Sequence, residues 1–180
     1  DKTLKEQIEE HSNLSLFSKM LQITGYDELL DASQSFTVWA PVNEALSGVD
    51  TTDTRLVLEI VRNHIARSRI TTSGVESRSV RMLNGKYIRF ERSASGFSFA
   101  DHNVVEPDLP AMNGLVHVID GYAPFLDNLW EYIGRTENLD SLRTYLDENN
   151  ILDFDPVNSV EIGVNEDLSL IHISEPTRPY

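Results

Sequence analysis

The chain has 180 residues, of which 40% are hydrophobic and 24% are charged, enough for one ordinary folded domain and part of another. It contains no cysteine, which excludes a disulfide framework, thiolate metal sites and cysteine nucleophiles. The formal net charge of −14 argues against nucleic-acid binding, and no apolar run approaches the ~20 residues that span a membrane. The chain opens without an initiator methionine or a signal peptide, so we expect a processed protein or a fragment.

The first 25 residues predict two short amphipathic helices. Apolar residues recur at helical spacing over 4–8 and again over 14–21. Asn13 is expected to cap the second helix, and Gly25 is expected to end it.

A strand and a longer helix follow. Residues 36–40 form a β-branched and aromatic run that Pro41 should end. Asp53 is expected to cap the helix after it, with Leu56 and Ile60 in the stripe that faces the core.

The middle of the chain predicts strands. Residues 80–83 and 86–91 flank Asn84-Gly85, a pair that favours the positive φ angles of a tight hairpin turn. Short strands are also expected over 97–99 and 115–119. Helices that precede strands, without regular βαβ alternation, predict the α+β class.

Charge is distributed unevenly along the chain. Nine basic and three acidic residues lie between Arg55 and Arg92, a local net charge of +6. Residues 127–167 carry 11 acids against Arg135 and Arg143, a net charge of −9. Two interpretations stay open: scattered solvated charge, or a basic face that meets an acidic neighbour or polymer.

Residues 127–167 resemble the start of the chain. At an offset of 125 positions, six of the 19 residues over 3–21 are identical to those over 128–146. This similarity predicts the beginning of a second, truncated repeat.

The segment 168–180 predicts a non-native tail. Its sequence, from Leu168 to Arg178, resembles the in-frame translation of a transposase sequencing-adapter end. The alternative is a genuine strand with a proline-terminated tail.

Two motifs carry a resemblance to a known family. Residues 36–46, Phe-Thr-Val-Trp-Ala-Pro-Val-Asn-Glu-Ala-Leu, closely resemble the first signature of fasciclin (FAS1) domains. Residues 113–120, Asn-Gly-Leu-Val-His-Val-Ile-Asp, resemble the second. The resemblance covers 1–126 and implies a compact β-wedge or sandwich with several short helices packed around it. We expect the two motifs to be neighbouring strands in this wedge.

The resemblance also implies a function. Fasciclin domains are non-enzymatic binding and adhesion modules, often in tandem, of secreted or cell-surface proteins. The implied partners are the extracellular matrix, a glycan, a cell-surface protein or an adjacent fasciclin repeat, and the implied location is extracytoplasmic. Neither a cofactor nor a metal is implied.

The signature residues predict structural roles. In the first motif, Phe36 should face the core, Pro41 should stop the strand and Asn43 should cap the turn that follows. Trp39 replaces the usual phenylalanine, so its indole N–H needs a partner if it is buried.

The second motif is interpreted in the same way. Asn113 and Gly114 should form a turn into the strand, and Asp120 should lie where the chain leaves it. His117 is interpreted as a hydrogen-bonded core histidine because no second metal ligand lies at a suitable spacing.

The resemblance further suggests three ligand-binding residues. Segment 106–110 is similar to a stretch that certain animal members use toward integrins, which carries over only to Asp108 and Leu109. The family's second such motif, Tyr-His, falls on Asn63 and His64. In the alternative interpretation, Leu109 plugs the core while Asp108 caps a turn.

Two other functions stay open. The sequence contains no zincin, nucleophile-elbow, phosphate-loop or dinucleotide motif, and acid pairs such as Asp50 and Asp53 lack the EF-hand pattern. A carbohydrate-active hydrolase could still use acids at the rim of the sandwich. A structural spacer would instead dock the basic region of one repeat on the acidic stretch of the next.

Overall fold

A computed structural model describes residues 2–125, 132–133, 136, 139–149, 159–164 and 170–174. The chain divides into two compact units, Asp1–Leu126 and Asp127–Tyr180. No helix in these described residues is long and apolar enough to cross a membrane.

Five helices and seven strands make up the first unit as described. The helices are α1 (Leu4–Glu9), α2 (Ser15–Thr24), α3 (Tyr26–Asp31), α4 (Asn43–Leu46) and α5 (Thr54–Arg62). The strands are β1 (Phe36–Pro41), β2 (Ile65–Ala66), β3 (Ser77–Arg81), β4 (Tyr87–Ser93), β5 (Gly96–Phe99), β6 (His102–Ala111) and β7 (Gly114–Ile119). The predicted α+β class is confirmed.

The seven strands form one sheet in the order β2-β1-β7-β6-β5-β4-β3. Strands β1 and β7 run parallel from Phe36↔Gly114 to Pro41↔Ile119, and every other pair in this sheet is antiparallel. The two signature motifs are therefore hydrogen-bonded neighbours, as predicted. The sheet nearly closes, because the Leu83 N–H donates to the Ile65 carbonyl oxygen at 2.9 Å.

Both faces of β1 are buried. Phe36, Val38 and Ala40 face a core shared with the helices, as predicted. Trp39 points to the opposite side, into a second apolar cluster that includes Phe90, Phe99 and Ile119. A strand covered on both faces reads as a continuous apolar run, which is why this motif is recognisable in the sequence.

Asn43 caps helix α2 from a distance of 27 positions along the chain. Its Oδ1 accepts the Leu16 N–H at 2.8 Å, and its Nδ2 donates to the Ser15 hydroxyl at 3.0 Å. The predicted cap, Asn13, is not the capping residue; its carbonyl oxygen accepts the Asn43 N–H at 2.9 Å. The prediction that Asn13 caps α2 is therefore wrong, because the residue at the N-cap position is Leu14, whose side chain makes no capping hydrogen bond. The prediction that Asn43 caps the turn after β1 is also wrong, because Asn43 is itself the first residue of α4.

Replacing Asn43 with alanine should lower the free energy of unfolding by about 1 kcal/mol, because the first turn of α2 loses its acceptor. Urea denaturation followed by circular dichroism measures the change. The matched control is Asn13→Ala, which removes the cap expected from sequence and should leave stability unchanged. Equal losses in both variants would contradict the capping role of Asn43.

Helix α5 begins where predicted, but its buried face is displaced. The Leu56 N–H donates to Asp53 Oδ1 at 3.0 Å, so the predicted Asp53 cap is confirmed. The buried residues are Val57, Ile60 and Val61, whereas Leu56 is 38% exposed. The face that carries Val57 packs into the helical core, which leaves Leu56 at its margin.

The predicted β3–β4 hairpin is confirmed, but its turn differs. Gly85 has φ +79°, and its N–H donates to the Met82 carbonyl oxygen at 2.9 Å. Asn84 has no positive φ; its Oδ1 accepts the Lys86 N–H at 3.1 Å instead. A single left-handed residue is what a longer hairpin loop with a glycine bulge requires.

The resemblance implies a recognition loop over segment 106–110, but the structure places this segment inside strand β6, so a loop there is wrong. Two register shifts against β7 interrupt the strand, one on each side of Glu106, and Asp108 has φ +56°. These irregularities, together with Pro107 and Pro110, remove the alternating pattern by which a strand is recognised.

The second unit contains helix α6 (Asp140–Asn149) and an antiparallel pair of strands, β8 (Ser159–Val164) and β9 (Leu170–Ser174). Strand β9 falls within the predicted non-native tail 168–180. The rest of that tail and much of the predicted repeat 127–167 lie outside the described residues, so both assignments stay predictions.

Candidate functional site

His117 is a fully buried, neutral side chain whose two ring nitrogens are both used. Nε2 lies 2.8 Å from the Ile70 carbonyl oxygen, which can only accept, so Nε2 carries the proton. Nδ1 accepts the Asp108 N–H at 3.1 Å. Burial lowers the pKa of His117, which keeps the ring uncharged at neutral pH. The side chain ties β7 to β6 and to the segment before β3.

Trp39 stacks in an aromatic cluster with His117. Its ring lies 4.6 Å from Phe99 with an interplanar angle of 9°, and 5.4 Å from His117 with an angle of 29°. The indole Nε1 is buried and has no hydrogen-bond partner among the described residues, so the predicted partner is not found there. Packing against the neighbouring rings, rather than a hydrogen bond from the indole N–H, therefore fixes the position of Trp39.

His64 occupies a second buried network. Nδ1 donates to the Ile60 carbonyl oxygen at 2.7 Å, and Nε2 accepts the Ala123 N–H at 2.9 Å. Burial lowers the pKa of His64 to about 4, so the ring is neutral. The side chain is 0% exposed and fastens the segment after β7 to the end of α5.

Asp108 holds the connection between β2 and β3. Its carboxylate accepts the Thr72 N–H at 3.0 Å and also the Thr72 hydroxyl. Its side chain is 34% exposed, and Oδ1 lies 4.0 Å from the neutral His117 ring. Leu109 is partly buried against the helical core. Of the three candidate ligand-binding residues, Asp108 and Leu109 are thus adjacent, whereas His64 belongs to a separate network.

Asn113 joins two helices to the start of β7. Its Nδ2 donates to the carbonyl oxygens of Leu30 at 2.7 Å and Ala32 at 2.6 Å, and its Oδ1 accepts the Leu4 N–H at 2.8 Å. Gly114 follows with its Cα packed so closely on β1 that a Cβ would lie 2.0 Å from the Phe36 carbonyl oxygen.

Asp120 fastens the other end of β7. Its two carboxylate oxygens accept the Asn103 backbone N–H at 2.8 Å and the Asn103 Nδ2 at 2.9 Å. Pro41 ends β1 at the same level, where the Val42 N–H donates to the Ile119 carbonyl oxygen at 3.0 Å. The polar residues of both signatures therefore hold strands and helices together.

A surface cleft of about 350 Å³ lies beside the His64 network, since Ala123 belongs to both. Its lining residues are Asn63, Lys86, Tyr87, Ile88, Arg89, Ala100, Asp101, Ala123 and Pro124. The sequence singled out Asn63 of this lining, as a position of the family's Tyr-His motif, but did not indicate the cleft itself. The cluster of basic residues between Arg55 and Arg92 was the signal that could have indicated it.

The acid pair Asp50 and Asp53 makes hydrogen bonds within the chain. Asp50 accepts from the Thr52 N–H at 2.9 Å and the Thr52 hydroxyl at 2.7 Å, and these hydrogen bonds hold the pKa of Asp50 below its usual value. Asp53 caps α5. The described residues contain no group of three or more His, Cys, Asp or Glu side chains that could hold a metal ion.

Comparison with known proteins identifies the family. The fasciclin domain family model matches residues 12–122. Protein sll1483 of Synechocystis sp. is 31% identical over 102 residues, which cover 52% of this chain and 57% of that protein.

The fold comparison agrees. The structure of a FAS1 domain pair from the insect cell adhesion molecule fasciclin I matches with a TM-score of 0.56 and 21% identity. The match covers 70% of this chain and 51% of the other, so the chain spans little more than half the length of these relatives. The nearly closed seven-stranded sheet with short helices confirms the predicted fasciclin-like fold. The chain belongs to the fasciclin domain family.

Proposed function

We propose that this chain is a non-enzymatic binding and adhesion module that acts outside the cytoplasm. The observation that carries the proposal is that four polar side chains of the two signatures, those of Asn43, Asn113, His117 and Asp120, make internal hydrogen bonds. His117, His64 and Asn113 are buried, and each joins separate parts of the framework. Contact with other molecules is then a task for the outer surface, and family membership supports an adhesion-type role.

The proposal includes a tandem-repeat surface protein with matrix, glycan or cell-surface partners. One observation on the second unit supports the repeat. Helix α6 (Asp140–Asn149) begins and ends 125 positions after α2 (Ser15–Thr24), at the same offset as the sequence identities. An adjacent repeat is therefore a further proposed partner.

The hydrolase alternative has less support. Hydrolysis of a glycoside ordinarily needs two carboxyl groups that flank the scissile bond. Among the residues that line the described cleft, Asp101 is the carboxylate, and Lys86 and Arg89 bring positive charge. One carboxylate beside two cationic side chains is better suited to binding a ligand than to cleaving a glycoside.

The proposal is tested by coupling the full chain to beads and measuring whether the beads attach to surfaces coated with matrix proteins or glycans. Specific attachment to at least one surface supports it, whereas no attachment above that of albumin-coated beads contradicts it. An increase in reducing sugar ends on incubation with the coated glycans would favour the hydrolase.

Substitutions at Asp108 and Leu109 test the proposed contact residues in the same assay. We expect Asp108→Ala and Leu109→Ala to lower the melting temperature, because the first frees Thr72 and the second leaves a gap in the core. A loss of about 1–3 kcal/mol is expected for each. Val105→Ala, on the same strand at a side chain that is 50% exposed, is the control.

A framework role and a partner-binding role of Asp108 and Leu109 predict different results for these variants. Lower stability with normal attachment below the melting temperature indicates framework residues. Normal stability with lost attachment would show that Asp108 and Leu109 recognise the partner.

A further inference from the structure

We propose that the outer face of the β3–β4 hairpin, with the cleft beside it, binds an anionic saccharide that carries carboxylate or sulfate groups. This inference rests on the proposed function and narrows its partner to one chemical class.

Arg81, Tyr87 and Arg89 form this surface, here called the basic hairpin face. Arg81 is paired with Tyr87 in the β3–β4 register, and Arg89 follows Tyr87 by two positions, so all three lie on one side of the hairpin. Tyr87 is 68% exposed, and the Arg89 side chain is 69% exposed. Glu91 Oε2 lies 4.0 Å from Arg89 Nη1, too far for a bidentate pair, so the guanidinium is available to a ligand.

The cleft supplies complementary groups. Lys86 Nζ lies 4.0 Å from the centre of the Phe125 ring, an arrangement that holds a positive charge at the lining. The carboxylate of Asp101 can accept hydrogen bonds from hydroxyl groups. Ala123 and Pro124 add an apolar wall.

These groups match the parts of an acidic sugar. A guanidinium binds a carboxylate or sulfate through paired N–H donors. An exposed tyrosine ring offers an apolar face for the C–H side of a sugar ring, while its hydroxyl can hydrogen-bond. A volume of about 350 Å³ is at the lower end of the range for small-ligand sites, which suits one or two sugar rings.

The charge distribution separates this ligand from other anions. The net charge of −14 repels a long polyanion such as nucleic acid, whereas Arg81, Lys86 and Arg89 at the hairpin and the cleft attract a short anionic ligand. An acidic peptide would match the charge, but poly-glutamate lacks the ring C–H face that suits the exposed Tyr87 ring. We therefore favour a saccharide.

Isothermal titration of the full chain tests the proposal with four probes. They are a sulfated heparin-derived oligosaccharide, an oligogalacturonate, a neutral cello-oligosaccharide of similar length and a poly-glutamate peptide. We expect one or both anionic saccharides to bind with an affinity that falls as salt rises, and the other two probes not to bind. Comparison of the heparin-derived oligosaccharide with the oligogalacturonate distinguishes recognition of sulfate from recognition of carboxylate.

Two variants and a matched control locate the site. Arg89→Gln and Tyr87→Ala should each weaken binding about tenfold, because each removes one ligand contact. Arg92→Gln removes the same charge from the same strand but from its opposite face, where Arg92 lies 3.4 Å from Glu76 Oε1. It should leave binding unchanged. Unchanged melting temperatures would show that all three variants fold.

Each other outcome overturns the inference: equal binding of the neutral saccharide, preference for the acidic peptide, an equal loss in Arg92→Gln, or no binding of either anionic probe. The bead assay separates this failure from failure of the proposed function. Attachment to a matrix protein that Arg89→Gln leaves intact would retain the adhesion module and reject the saccharide site.

Discussion

Replacing Gly114 with alanine should abolish stable folding of the first unit. The new Cβ would lie 2.0 Å from the Phe36 carbonyl oxygen and 2.8 Å from Leu4 Cδ1. The backbone cannot retreat easily, because Phe36 and Gly114 are register partners and the Phe36 N–H donates to the Asn113 carbonyl oxygen at 3.1 Å. Gly114 also has φ +156°, a conformation that side chains disfavour. Separation of β1 from β7 would open the centre of the sheet.

The expected loss is more than about 4 kcal/mol, a large part of the stability of an ordinary domain. Urea denaturation, or the soluble yield where the variant does not fold, measures it. Gly48→Ala is the matched control, since nothing lies within 4 Å of its added Cβ, and it should stay within about 0.5 kcal/mol of the parent. A stable Gly114→Ala protein would contradict the close approach of β1 and β7.

Acidification from pH 7 to pH 5 should lower the free energy of unfolding by about 2 kcal/mol through His64 alone. Burial lowers the pKa of His64 from 6.5 to about 4 in the folded state, whereas the unfolded chain keeps the ordinary value. Between these values the unfolded state binds the additional proton. The stabilisation is therefore complete above pH 6.5 and is lost as the pH falls toward 4.

His117 should add a loss of the same sign, because burial lowers its pKa as well. Urea denaturation at pH 8, 7, 6 and 5 measures the slope above the range in which ordinary carboxylates titrate. His64→Gln should be less stable at pH 7 but less sensitive to acid. Equal stability of the parent at pH 7 and pH 5 would contradict the assignment of two buried neutral histidines.

Local patterns in the sequence predicted the elements that local interactions form. The Asp53 cap, the left-handed Gly25 at the end of α2 and the β3–β4 hairpin each depend on residues a few positions apart. Strands β1 and β7 were recognisable because burial on both faces leaves a continuous apolar run.

Predictions failed where the partner of a polar group lies far along the chain. Asn13 is a good local candidate for the cap of α2, but Asn43 takes the position because β1 delivers it there. Strand β6 was missed because its two register shifts and its prolines disrupt alternation. In each case the competing interaction is set by tertiary contacts, which neighbouring residues do not encode.

The sequence by itself determined the family, the α+β class and the paired strands around Trp39 and His117, because apolar periodicity and turn residues act over short distances. Only the tertiary structure decided what the polar residues do. It directs the carboxylate of Asp108 to Thr72 and leaves the Trp39 N–H without a partner among the described residues. It also gathers Tyr87 and Arg89 beside a cleft. The physical reason is that hydrogen bonds and surface charge depend on which distant segments the folded core brings within a few ångströms.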